Sequence, residues 1–222
     1  MRRWYLIIDL EMCRVPKGAR TQIYPWANET IQIGAVLMNS DHQVVGKKSI
    51  FVSPQLGCIS QNIEKLTGIS RAQVNDAPNM EAALNELTAW IPQEEVTVVA
   101  WSDNDKNQIE HELRGKNIHN DRMEELLDNW TDCQKTFGQK AGYDRPCKLS
   151  EALIAAGIMA EGREHDGLDD AYNTALLFAK METEPKLKLD PIFENARKEE
   201  VQHLNYSLGM LFSGLDLTAV PA

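Results

Sequence analysis

The sequence predicts an α/β fold, a mixed five-stranded sheet flanked by helices. Three observations carry that prediction. Residues 4–10 and 95–101 are short apolar runs rich in β-formers, the signature of buried strands. Residues 30–38 and 43–52 flank the turn-rich Asn39-Ser40-Asp41-His42 and read as an antiparallel hairpin. Helically spaced apolar residues then separate the later strands, giving the order β-β-β-α-β-α-β-α.

Each element has its own reason. Trp4-Tyr5-Leu6-Ile7-Ile8-Asp9-Leu10 reads as a central strand with Asp9 near its end. The segment 60–67, stopped by Gly68, reads as a short helix, and 79–91 carries Met80, Ala83, Leu84, Leu87 and Ile91 at helical spacing. The strand at 95–101 runs through a polar turn into a helix from 105 to 114. A fifth strand is placed near 129–133. Helices follow near 148–157, with Ser150 as its candidate cap, and 169–182, ended by Pro185. Residues 1–184 thus form one domain, and 185–222 an extension with a charged helical stretch and the apolar tail Leu208-Gly209-Met210-Leu211-Phe212. That tail either folds back or meets a second copy, so a homodimer stays open.

Composition narrows the classes. A chain of 222 residues with 43% hydrophobic and 25% charged residues suits one soluble domain and excludes a disordered or fibrous protein. There is no apolar run of about 18 residues, and Asp9 and Glu11 interrupt the N-terminal run. Neither a membrane span nor a cleavable signal is expected, which points to a cytoplasmic protein. Cys13, Cys58, Cys133 and Cys147 form no C-x-x-C pair and read as free thiols. The formal net charge of −10 opposes a protein that wraps long duplex nucleic acid, which needs many cationic contacts. Bound divalent cations would cancel part of that charge where a substrate approaches, leaving a grip suited to short single-stranded ends.

Acidic residues stand out in three places. Asp9 and Glu11 are two apart on a strand, so both side chains face the same way. Such a pair either holds a cation or lies at a solvated strand end. Asp103 and Asp105 follow the strand at 95–101 just before a helix, where capping explains either one as well as ligation does. His165-Asp166-Gly167-Leu168-Asp169-Asp170 opens the last helix, where an acid is also favoured by the helix dipole. Together the three would converge in an α/β sheet. Hard divalent cations prefer carboxylate oxygens, and two ions about 3.5–4 Å apart stabilise both the attacking and the leaving oxygen of a phosphodiester. His165 is then the neutral imidazole that accepts the proton of water.

These residues, Asp-x-Glu, a mid-chain Asp and His-x4-Asp in that order, resemble the DEDDh exonucleases, the DnaQ-like proofreading family. The Thr30-Ile31-Gln32-Ile33-Gly34-Ala35-Val36 stretch, Leu66-Thr67-Gly68-Ile69-Ser70 and the string from His165 to Asp170 are most similar to the exoribonuclease branch that trims histone mRNA and small RNAs, and to bacterial KapD-like proteins. The resemblance spans residues 4–182. It implies a ribonuclease-H-like fold and release of nucleoside 5′-monophosphates from the 3′ ends of single-stranded RNA or DNA, RNA being favoured. It also implies two Mg²⁺ ions, with Mn²⁺ able to substitute. Carried over, Asp9, Glu11, Asp105 and Asp170 are the metal ligands and His165 the general base. Asp103 rivals Asp105, which helical phase with Ile109 and Leu113 favours. Met12 and Leu66 would cradle or wedge the terminal nucleotide, with core packing as the alternative. Glu29 either sits near the metals or closes a loop.

Two other functions share these residues. A catalytically silent module that binds nucleic acid or protein would be expected to have lost a ligand or the histidine, and none is replaced. A phosphodiesterase acting on dinucleotides would keep them all and suits the acidic surface.

Overall fold

A computed structural model of the chain describes residues 3–142 and 145–190. Five strands form one sheet: β1 (Trp4–Arg14), β2 (Asn28–Met38), β3 (Val44–Phe51), β4 (Val96–Ala100) and β5 (Trp130–Asp132), in the order β3-β2-β1-β4-β5. β1 pairs antiparallel with β2 and parallel with β4, so the sheet is mixed as expected. The central strand is apolar almost throughout because both of its faces are covered. Leu6, Ile8 and Leu10 join one core, and Ile7 joins the other.

The first core is closed by α3 (Met80–Trp90), α4 (Asp103–Gly115) and α5 (Asp121–Asp128), through Leu84, Leu87, Ile109 and Met123. The second is closed by α6 (Cys133–Ala141), α7 (Leu149–Ala155) and α8 (Gly167–Thr183), through Phe137, Leu153, Ala171 and Phe178. A smaller cluster of Cys13, Ile31, Ile59, Ile69 and Val74 lies beside α1 (Gln61–Thr67) and α2 (Arg71–Asn75). Among the described residues all four cysteines are free, and only Cys58 is exposed.

The structure differs from the sequence reading in a few places. β1 continues past Asp9 to Arg14, because β2 pairs along its whole length. Helices α2, α5 and α6 are additional. Each begins at a cap that a run of apolar residues does not reveal: Ser70 with Gln73 in a capping box, Asn120 accepting the Met123 N–H at 2.8 Å, and Asp132 accepting the Lys135 N–H at 2.8 Å. Ser150 does not cap α7. It lies inside the helix, and Glu151 instead reaches back to the Lys148 N–H at 3.1 Å. α8 ends at Thr183, two residues before Pro185. Beyond it Leu187 is buried in the second core, and the Asp190 N–H donates to the Ala155 carbonyl at 2.8 Å. The charged stretch after residue 190 and the tail from Leu208 to Phe212 lie outside the described residues.

Candidate active site

β1 supplies the first two acids. Asp9 stands opposite Gly34 and Glu11 opposite Gln32, so both are held inside the ladder and not at a frayed end. They alternate with Leu10 and share the face of Ile7, on the side covered by α8. The register shifts between Glu11 and Met12, a bulge that re-aims the strand just beyond the second acid.

Two glycines let the start of α8 reach these acids. A Cβ on Gly34 would lie 2.0 Å from the carbonyl carbon of Gly167, so no side chain fits between strand and helix at this spacing. The Gly167 N–H donates to the Gln32 Oε1 at 3.0 Å, which pins the helix end to β2. Asp166 caps the helix, accepting from the Leu168 and Asp169 N–H groups at 3.0 and 3.3 Å. Asp170 follows in the first turn, and its carboxylate accepts the His165 N–H at 2.8 Å. His165 itself is exposed and has a φ of 65°, a left-handed conformation that a histidine seldom adopts. Asp169 points elsewhere and accepts the Arg163 N–H at 2.8 Å.

The third element is α4. Ser102 takes the capping role, accepting the Asn104 N–H at 3.3 Å, which frees the two aspartates behind it. Asp105 is buried and accepts the Leu10 N–H of β1 at 3.1 Å, beside Asp9. Asp103 turns outward and pairs with Lys135. Of the two rivals, then, Asp105 lies with the other acids.

The charges have little to offset them. Asp9 is pushed well above the usual carboxyl range, first by burial and then by Asp105, Asp170 and Glu11. Burial and the charges of Asp170, Asp166 and Asp105 push Glu11 up to about 8, with Arg163 opposing. Burial raises Asp105 to about 7 against the Leu10 N–H, and Asp170 to about 6 against the His165 N–H. None of the ion pairs among the described residues includes any of these four. A cluster of this kind either holds protons or binds cations. Ligand atoms of Glu11, His165 and Asp170 lie within 4.8 Å of one another, close enough to share a metal ion.

Met12 is half-buried against the first core. Leu66 is 47% exposed near the end of α1. Glu29 is away from the acids and closes a loop: it accepts from the Gln55, Leu56 and Gly57 N–H groups and pairs with Lys116 at 2.6 Å. Sequence reasoning missed Gln32, Asp166 and Arg163. Gln32 was visible as a polar residue in a doubly covered strand, and Asp166 as a cap preceding Gly167.

The exonuclease family profile (RNase_T) matches residues 6–178, most of the chain. This chain belongs to the exonuclease family. Its relatives include the ERI1 exoribonuclease 2 of Xenopus laevis, 31% identical over 80% of this chain and 28% of the relative, and that of Homo sapiens, 34% identical over 70% and 25%. The 3′-5′ exonuclease Snipper of Drosophila melanogaster is 27% identical over 69% and 60%. The chain therefore spans about a quarter of the length of the ERI1 relatives. Among solved structures, the nuclease domain of 3′hExo, a DEDDh family member bound to rAMP, superposes with a TM-score of 0.69 at 22% identity, covering 84% of this chain and 96% of that one. Cell-death related nuclease 4 gives 0.67 at 20%, covering 84% and 66%. The fold of this exonuclease-family chain is accordingly the ribonuclease-H-like one expected. DEDDh exonucleases depend on divalent metals, in keeping with its acidic cluster. Among the described residues no helix is long and apolar enough to cross a membrane.

Proposed function

We propose that the chain is a 3′→5′ exonuclease that removes nucleoside 5′-monophosphates from single-stranded 3′ ends, RNA in preference to DNA. The observation that carries this reading is the gathering of Asp9, Glu11, Asp105 and Asp170 from three elements, near enough for their charges to raise the Asp9 carboxyl and, among the described residues, in no ion pair, with ligand atoms of Glu11 and Asp170 within 4.8 Å of the exposed His165. The family membership and the names of the relatives support the direction and the sugar. Asp9, Glu11, Asp105 and Asp170 are assigned as ligands of two Mg²⁺ ions, for which Mn²⁺ would substitute. Bound there, such ions supply Lewis-acid stabilisation to the attacking water and to the departing 3′-oxygen.

The protein's own residues do the rest. His165, with a ring nitrogen near Glu11 and Asp170, takes the proton of the attacking water. Asp170 fixes the backbone of that histidine through the bond to its N–H. Attack at phosphorus breaks the P–O3′ bond, leaving the phosphate on the released nucleotide and a new 3′-hydroxyl on the shortened strand. Met12, on the bulged strand next to Glu11, and the exposed Leu66 flank the terminal nucleotide. We assign residues 1–184 to the catalytic domain and 185–222 to an extension, whose start packs on the second core through Leu187.

Incubation of the protein and Mg²⁺ with end-labelled single-stranded RNA, single-stranded DNA and dinucleotides tests this. Stepwise shortening of RNA from its 3′ end, lost in Asp9→Ala, is expected. Cleavage undiminished in Asp9→Ala contradicts the mechanism, and cleavage of dinucleotides alone replaces it with a phosphodiesterase, which the net charge of −10 would suit.

A further inference from the structure

Arg163 is neither one of the clustered acids nor the proton acceptor, yet it bonds to two distant segments at once. Its guanidinium donates to the carbonyls of Lys65 and Leu66, both at 2.9 Å. These carbonyls belong to the last turn of α1, where no further turn exists to donate to them. The Gly68 N–H takes the Glu64 carbonyl at 2.8 Å and leaves the other two to Arg163. Gly68 makes room: its φ is 72°, and a Cβ there would lie 1.8 Å from Nη1 of the guanidinium.

The backbone of Arg163 is tied just as firmly to the start of α8. Its N–H donates to Asp169 at 2.8 Å, and its carbonyl accepts the Asp166 N–H at 3.2 Å. That turn carries His165 in its left-handed conformation. α1 has only seven residues, too few to be stable alone, so its orientation depends on what holds its ends. Ser60 holds one end, accepting the Ile63 N–H at 3.3 Å, and Arg163 holds the other.

We propose that Arg163 is a positioning residue that locks the Leu66 end of α1 to the His165 turn. The surface offered to the terminal nucleotide and the group that takes the proton are then set at one separation. This rests on the exonuclease reading and deepens it. Both bonds leave Nη2, whose two N–H groups are fixed in the guanidinium plane; lysine does not replace it, since an ammonium on a flexible stem has no such fixed pair.

The test compares Arg163→Ala and Arg163→Lys with Arg122→Ala in the full chain. Arg122 is the control because it also donates to two carbonyls, those of Pro92 and Glu94 at 3.0 and 2.8 Å, without touching the His165 turn. On single-stranded RNA with Mg²⁺, both Arg163 variants are expected to raise KM and lower kcat, with kcat/KM down about 10²-fold. Arg122→Ala should leave both constants unchanged at a similar loss in Tm. Adding guanidinium should restore part of the activity of Arg163→Ala and none in Asp9→Ala. In a Leu66→Ala background the KM effect of Arg163→Ala should shrink, because the two act through one contact. Hydrogen exchange gives a readout independent of cleavage: the amides of Leu66–Gly68 and of His165–Asp166 should lose protection together in Arg163→Ala. Wild-type constants in Arg163→Ala, a KM effect fully additive with Leu66→Ala, or exchange confined to one segment would each overturn the proposal while leaving the exonuclease reading intact. A wild-type protein that cleaves no nucleic acid would overturn that reading instead.

Discussion

Two groups of wholly or partly buried acids lie along the same pair of strands, and they are treated in opposite ways. At one, Glu29 on β2 and Glu112 on α4 share Lys116, each at 2.6 Å, with side chains almost wholly buried. The N–H groups of Gln55, Leu56 and Gly57 point at Glu29, and that of Thr30 at Glu112. Burial pushes the Glu29 carboxyl up, but Lys116 and these donors outweigh it and hold the group below its ordinary value. At the other, Asp9, Glu11, Asp105 and Asp170 are all pushed up by burial, with Arg163 opposing at Glu11 and His165 at Asp170. Acids that build the fold come with their own cation. Acids left without one are those that the proposed reading assigns to cations from solution.

Substitutions can break this contrast. The largest effect is expected from His165→Ala, which removes the proposed proton acceptor: kcat should fall about 10²–10⁴-fold while stabilisation by Mg²⁺ persists, checked by steady-state cleavage beside calorimetry. A loss of cation response with unchanged turnover would reverse the roles. Lys116→Met leaves two buried carboxylates unpaired and should cost about 3–5 kcal/mol by denaturant unfolding, with little change in cation binding. Gly34→Ala forces the start of α8 away from β2, and with it from the neighbouring β1, and should cost about 1–3 kcal/mol, with a fall in kcat larger than its stability loss explains. Unaltered kinetics there would show that the spacing of Asp170 from Asp9 is not critical.

The smallest and most specific effect is in pH. In cation-free protein the raised carboxyls keep protons that the unfolded chain gives up near pH 4. The native state therefore holds more protons than the unfolded one, and stability falls as pH rises through about 6, 7 and 8, the values for Asp170, Asp105 and Glu11. Thermal melts from pH 5 to 8.5 should show that decline, steeper than in Asp9→Asn. The Glu29 carboxyl, held low, has the opposite sign: its contribution is present above its unfolded value and is lost on acidification.

Much of this was legible in the sequence because the relevant signals are local. The alternation of Asp9 and Glu11 with Leu10, the hairpin at Asn39–His42 and the Gly68 stop all follow from neighbours a few residues away. The preference for Asp105 over Asp103 came from helical phase and motif order; in the structure Ser102 caps, Asp105 accepts the Leu10 N–H, and Asp103 meets Lys135. What stayed hidden depends on contacts between distant segments. Nothing near Glu29 announces Lys116, nothing near Gly34 announces Gly167, and Arg163 is one exposed arginine until the end of α1 is beside it. The three extra helices escaped because they are short and are marked by caps more than by apolar period.

The most direct test is calorimetric titration of the wild-type protein and Asp9→Asn with Mg²⁺ and Mn²⁺ at pH 8, followed by thermal melts of the same samples. Wild type should bind cations and gain Tm by mass action, while Asp9→Asn, more stable than wild type without cation, should bind weakly and gain little. Equal cation binding and equal Tm gains in the two proteins would contradict the assignment of the acidic cluster as the metal site.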